Sequence, residues 1–201
     1  LALFPLACLA ETADCKTGYA IEEIGLKTAF PSDWQVVTPE NVSRHFSYFE
    51  EATPELAAEH LRAEGVSAVA FSPSGDAMLR VICRDGDDTV ALYHDIERYT
   101  AAMRTEIKND FLNKAAWALT GYRYSVAEWT NKEGRGRILN LTYTIRFDEV
   151  TVARGLQAYT IRNGKVFMLD LQVDGDRKLT SQEEKIFAAF VADTVFPESV
   201  D

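Results

Sequence analysis

The chain has 201 residues, 47% hydrophobic and 26% charged, and a formal net charge of −10. That length suits one domain able to bury a core without metal or disulfide staples, and the apolar content excludes a disordered polypeptide. An anionic surface repels phosphate backbones and anionic lipid, which disfavours nucleic-acid binding and peripheral membrane attachment.

Residues 1–10 carry no charge and are too few to span a bilayer. They read as the end of a secretory signal peptide, in which Cys8-Leu9-Ala10 fits a small-x-small cleavage site and leaves Glu11 as the new N-terminus. The rival reading puts a lipid anchor on Cys8, but Pro5 then stands where Leu is usual. Export without lipidation is the favoured expectation, with residues 11–18 as a short leader and 19–201 as a single domain. An exported chain permits a Cys15–Cys83 disulfide. Cys83, however, alternates with Leu79 and Val81, a pattern that favours a buried free thiol.

A first strand or hairpin is expected over 19–30, stopped by Pro31-Ser32-Asp33-Trp34, with Trp34 plugging the core edge. Thr53-Pro54-Glu55-Leu56 opens a helix whose apolar stripe is Leu56, Leu61 and the alanines, and Gly65 ends it. Strands follow over 66–72 and 77–84 across a turn at Ser72-Pro73-Ser74-Gly75-Asp76. The longest helical pattern runs over 92–119: Leu92, Ile96, Tyr99, Met103, Ile107, Phe111, Ala115 and Leu119 recur every three or four residues.

The second half reads as antiparallel sheet. Strands over 122–130 and 137–147 form one hairpin, with Leu139, Leu141, Tyr143, Ile145 and Phe147 on one face. A strand over 150–161 then turns at Asn163-Gly164, the sequence that suits a type I′ turn because both residues tolerate positive φ. That register sets Tyr159 opposite Met168 and Gln157 opposite Asp170. Thr180-Ser181-Gln182-Glu183 is a capping box, and Ile186, Phe187, Phe190 and Val191 form the last helix's stripe. The fold class is therefore α+β, an antiparallel sheet flanked by helices.

In this order, the elements resemble those of the PsbP-like superfamily, which includes extrinsic photosystem PsbP proteins and DcrB-like bacterial exported proteins. The resemblance is carried by Gly25-Leu26-Lys27-Thr28-Ala29-Phe30-Pro31-Ser32-Asp33-Trp34, the mid-chain helix, Gln157-Ala158-Tyr159-Thr160-Ile161-Arg162-Asn163-Gly164-Lys165, and the closing helix ending near Phe196. It implies a sandwich of sheet and helices and an extracytoplasmic location. It supplies no catalytic residues, and nothing here matches a plastid transit peptide.

The chemistry-bearing residues form no familiar constellation. His45, His60 and His94 are scattered, without the spacing of a zinc site. Asp85-Gly86-Asp87-Asp88 and the stretch from Asp170 to Asp176 miss the twelve-residue calcium loop; Ser181 stands where the second stretch needs a bidentate Glu. There is no G-x-S-x-G elbow around Ser74, and Gly134-Arg135-Gly136-Arg137 opens a strand where a phosphate loop would open a helix. Accordingly no catalytic, cofactor-binding or metal-binding residue is assigned.

One polar group stands out: Gln157, Tyr159 and Asp170 on one sheet face, with Asn140, Thr142 and Arg146 as candidate additions. It reads first as a satisfied hydrogen-bond network and second as a recognition patch. Three functions compete. The leading one is a non-catalytic exported domain binding an envelope or extracellular protein. The others are a small-ligand binder with a sheet–helix cleft lined by Tyr99, Met103 or Trp117, and a small extracytoplasmic hydrolase using an Asp170-centred acid–base pair.

Overall fold

The structure is a computed structural model that describes residues 16–113, 115, 119–132 and 136–199. The signal-peptide segment, Cys8, Cys15 and Trp117 lie outside the described residues. Strands β1 (Lys16–Ile21) and β2 (Leu26–Pro31) form a separate hairpin. Strand β3 (Gln35–Val37), helix α1 (Pro54–Ala63), β4 (Val66–Phe71) and β5 (Ala77–Asp85) follow. Helices α2 (Asp88–Tyr93) and α3 (Ala101–Leu112) precede β6 (Tyr122–Lys132), β7 (Gly136–Phe147), β8 (Val150–Arg162), β9 (Lys165–Asp174) and helix α4 (Ser181–Asp193). The seven strands from β3 onward make one antiparallel sheet in the order β3-β4-β5-β9-β8-β7-β6. This is the expected α+β architecture.

Strand alternation gives the sheet two apolar faces. On one, Leu79, Val81, Phe167, Leu169 and Leu171 pack against Phe30, Phe187, Phe190 and Phe196, so the β1–β2 hairpin and α4 cover it. Backbone bonds between Lys27 and Val195, at 3.0 and 2.7 Å, tie that hairpin to the segment after α4. The opposite face is covered in two pieces. Ala57 and Ala58 of α1 pack on Val66, Val69 and Ile82 at one end. Ile96, Tyr99 and Phe111 pack on Leu139, Leu141 and Tyr143 at the other. The gap between those pieces positions the candidate site.

Local chemistry explains most boundaries. The Thr53 side chain accepts a hydrogen bond from Leu56 N, Pro54 occupies the first turn of α1, and Gly65 exits at φ 69°. Thr180 and Glu183 cap α4 reciprocally. Asn163 and Gly164 take φ of 49° and 72°, and the resulting register pairs Tyr159 with Met168 and Gln157 with Asp170. Trp34 is buried in the core beside Phe30, at the end of the β2 turn.

Four expectations need correction. The helix over 92–119 is three short elements: α2, a single 3-10 turn at Ile96–Arg98, and α3. His94 breaks the run by adopting φ 61°, and Thr100 starts α3 afresh by accepting from Met103 N. Leu92 and Leu119, assigned to the buried stripe, are exposed. Leu56 is also exposed, because the two alanines turn inward in its place. Phe147 is exposed at the end of β7, past a register shift whose extra residue, Val152, lies on β8. Finally, the first hairpin begins at Lys16, three residues before the expected start.

Candidate functional site

Three neighbouring strands build the floor of the gap between α1 and α3. Met78, Arg80 and Ile82 of β5 alternate with the buried face residues, as do Met168 and Asp170 of β9, and Gln157 and Tyr159 of β8. The β5–β9 register sets Arg80 directly opposite Asp170. Asp170 is fully buried. Its Oδ2 accepts from Arg80 Nε at 2.8 Å and from Nη2 at 2.6 Å, and Oδ1 accepts from the Tyr143 hydroxyl at 2.9 Å. Arg80 Nη2 also donates to Gln172 Oε1 at 3.1 Å. Gln157 Oε1 accepts from the Tyr124 hydroxyl at 3.1 Å. Such a buried charge persists because it is paired and hydrogen-bonded.

A glycine makes this geometry reachable. Tyr143 of β7 lies opposite Gly155 of β8. A Cβ at Gly155 would sit 2.3 Å from the Tyr143 ring and hydroxyl and 2.3 Å from the Leu171 carbonyl oxygen. The bare backbone therefore lets the phenol cross β8 to reach Asp170 on β9.

The environment holds Arg80 charged and the buried tyrosines neutral. Burial disfavours the Arg80 guanidinium, but the Asp170 carboxylate, aided by Tyr143 and Tyr122, outweighs it and raises the Arg80 pKa. Burial, then the Asp170 charge, pushes the Tyr143 phenol well above its ordinary value. Tyr124 and Tyr159 are raised chiefly by burial as well. Each of these tyrosines is a protonated donor or a neutral wall at physiological pH.

Above the floor lies a cleft of about 620 Å³. Val69, Phe71, Leu61 and Tyr48 line the α1 side, and Phe111, Tyr122 and Tyr124 line the other. Tyr48 stacks on Phe71 with ring centroids 4.7 Å apart. The rim carries Glu50, Glu51, Glu64 and Asp85 beside Arg84 and His60. Arg84 pairs with Glu64 at 2.9 Å and His60 with Glu51 at 2.6 Å. The His60 hydrogen bond holds the Glu51 carboxyl below its ordinary pKa.

Of the residues singled out in sequence, Gln157, Tyr159 and Asp170 do share one face. Asn140 and Thr142 do not: they pair with Ala158 and Leu156, which face the α4 side, and Asn140 donates instead to Thr130. Arg146 lies past the bulge and donates to the Glu149 carbonyl. Tyr99 and Met103 line a separate pocket of about 390 Å³. Cys83 is a free, half-buried thiol packed with Leu79 and Val81, and burial pushes its pKa up to about 11. The three histidines stay apart; among the described residues no cluster of three or more His, Cys, Asp or Glu side chains could hold a metal ion. Asp85 of the first acidic loop pairs with Lys165 at 2.6 Å. Sequence reasoning missed Arg80, although a basic residue between Leu79 and Val81 in a strand is a usable signal.

No protein-family model matches the chain, and no curated protein matches it in sequence. Among solved structures the chain is similar to the solution structure of cyanobacterial PsbP (CyanoP) from Synechocystis sp. PCC 6803. The TM-score is 0.57 at 17% identity, covering 96% of this chain and 98% of that one. A crystal structure from Bacteroides thetaiotaomicron VPI-5482 aligns with a TM-score of 0.42 at 12% identity, over 91% of this chain and 48% of that one. The fold is PsbP-like. No helix among the described residues is long and apolar enough to cross a membrane.

Proposed function

We propose that this chain is a non-catalytic extracytoplasmic domain that binds a partner protein through the cleft between α1 and α3. One observation carries the reading: an apolar-walled cleft sits over an ion pair whose hydrogen bonds are already made internally. A general base must be within reach of a substrate proton and free to take it. Both Asp170 oxygens are engaged, so using this carboxylate would first require breaking its bonds to Arg80 or Tyr143. What remains open to a visitor is aromatic and aliphatic surface with a few fixed polar groups, the usual make-up of a preformed binding site.

The uncharged stretch over 1–10 and the PsbP-like fold support export, with the DcrB-like exported proteins as the proposed kin. A small apolar ligand in the same cleft is the second reading, favoured by a volume inside the range of roughly 300–1,000 Å³ typical of ligand pockets. The two separate by site-specific photo-cross-linking in cells expressing the full chain. A benzophenone amino acid is placed at Tyr48, on the cleft rim, and as a control at Val152, an exposed position outside the cleft. One discrete protein adduct is expected from Tyr48 and none from Val152. A small-molecule adduct at Tyr48 would establish the second reading; equal adducts at both positions, or none, would overturn the cleft as the contact surface.

A further inference from the structure

We infer that the pocket bounded by α2, α3 and β8 is a second binding site, for a primary alkylammonium carried on an apolar shank. Three carboxylate residues line it, Asp87, Glu106 and Asp110, and none of its eleven lining residues is Lys, Arg or His. The rest of the wall is apolar or aromatic, including Met103, Ile107 and Phe111. Carboxylates and aromatic faces both attract a cation, and the aliphatic wall suits a short hydrocarbon shank.

A second observation points to a ligand and does not depend on the carboxylates. Tyr99 is 4% exposed, and its hydroxyl is buried with no hydrogen-bond partner. Buried polar atoms are almost always paired. Burial, then the nearby Asp87 charge, raises the Tyr99 pKa, so the phenol stays neutral and its oxygen is available as an acceptor. Tyr159, another lining residue, lies within the electrostatic reach of both Tyr99 and Asp87. An N–H donor seated there would give the Tyr99 oxygen the partner it lacks. An anion would instead be repelled by the carboxylates on the wall. Among neighbouring cations, Arg104 of α3 turns to the Tyr99 backbone carbonyl. Asp87 is held in place because its Oδ1 accepts from Val90 N at 2.9 Å.

Phe111 and Tyr159 line both this pocket and the larger cleft. A protein segment seated in the cleft could therefore extend a lysine side chain into the pocket. That link rests on the function proposed above, whereas the pocket's preference for a cation does not.

The test is an NMR titration of the isotope-labelled full chain with n-butylammonium chloride. Butanol and butyrate serve as neutral and anionic analogues, and acetyl-Leu-Lys-Leu-amide as the peptide form of the same group. Butylammonium should saturably shift the backbone amides of Tyr99, Met103, Ile107 and Ile161, and binding should weaken as salt is added. Butanol and butyrate should bind weaker by about tenfold or more, a difference of ~1.4 kcal/mol. Glu106→Gln and Tyr99→Phe should each weaken butylammonium several-fold. Tyr99→Phe should leave Tm unchanged or higher, because the free protein has no hydrogen bond there to lose. Tighter binding of butylammonium than of the peptide identifies a free amine as occupant, and the reverse identifies a lysine side chain; either supports the site. Equal shifts with butyrate, indifference to both substitutions, or no localised shift would overturn it. Butylammonium binding without a Tyr48 adduct would leave the pocket standing while the partner reading fails, and an adduct without butylammonium binding would do the opposite.

Discussion

Replacing Asp170 with Asn removes the charge from the buried pair while keeping the side chain's shape. Arg80, whose side chain is 20% exposed, is left against a neutral amide that cannot balance it. Breaking a buried pair by removing one partner costs about 3–5 kcal/mol. Because solvent from the cleft reaches Arg80, the lower end applies, ~3 kcal/mol. For a chain of this size each kcal/mol shifts Tm by roughly 2–4 °C, so the variant should melt about 6–12 °C lower. Replacing both members with apolar residues, as Arg80→Met with Asp170→Leu, should recover most of that loss, since the desolvation cost disappears with the charges. Adding Tyr143→Phe should recover more, because the Tyr143 hydroxyl no longer has its acceptor. The assay is urea unfolding at neutral pH, with Tm in parallel. A loss below ~1 kcal/mol for Asp170→Asn, or a double variant less stable than the single one, would refute the view that the pair is a closed structural unit. Hydrolase turnover that Asp170→Asn abolishes would refute the non-catalytic reading outright.

Gly155→Ala should cost about 1–3 kcal/mol, since its Cβ must displace the Tyr143 ring or the Leu171 carbonyl; urea midpoints would show it, and a neutral result would contradict the close approach. Glu183→Ala should cost about 1 kcal/mol at neutral pH through the lost cap. Burial raises the Glu183 pKa, but hydrogen bonds from Arg177 and Thr180 outweigh it, so the folded value lies below the unfolded one. Its charge-dependent stabilisation is thus complete above the unfolded pKa of about 4.3 and is lost as pH falls through the folded value. The Tm gap between wild type and Glu183→Ala should accordingly narrow in acid; a gap that widens would reverse the sign. Tm should not change when EDTA is added, whereas a structural metal would contribute folding free energy that chelation removes. N-terminal sequencing of the exported product should begin at Glu11, and a lipidated Cys8 would replace that expectation.

The parts of the fold written in local chemistry were legible in the sequence. Asn163-Gly164 set a register because two adjacent residues had to accept positive φ, and Thr180 with Glu183 marked a helix start by reciprocal bonds. The stretch from Leu92 to Leu119 misled for the opposite reason. Ile96, Tyr99 and Phe111 are all buried in one cluster, so their spacing is that of one apolar surface, but a 3-10 turn with the residue that ends it and a separate helix, α3, deliver them to it. The break falls at His94, a residue type that does not announce a left-handed backbone the way glycine does. Thr100 was the readable signal, since a threonine ahead of a run of helix formers is a cap as often as a member of a stripe.

The site divides along the same line. Gln157 and Asp170 could be placed together because a two-residue turn joins their strands. Arg80 could not, because it meets Asp170 across a separation of 90 residues that contains two α-helices and three other strands. Composition narrows the problem without closing it. A carboxylate within Phe167-Met168-Leu169-Asp170-Leu171 needs a cation from a neighbouring strand. Several arginines sit in strands between apolar neighbours, among them Arg80 between Leu79 and Val81 and Arg146 between Ile145 and Phe147. Their local patterns are alike, and only strand order separates them. β9 lies between β5 and β8, so Arg80 is on the adjacent strand, while Arg146 on β7 is a further strand away and past a bulge. The pairing is thus a property of topology, settled when β9 inserts beside β5, and the ionic floor of the cleft forms with the sheet itself.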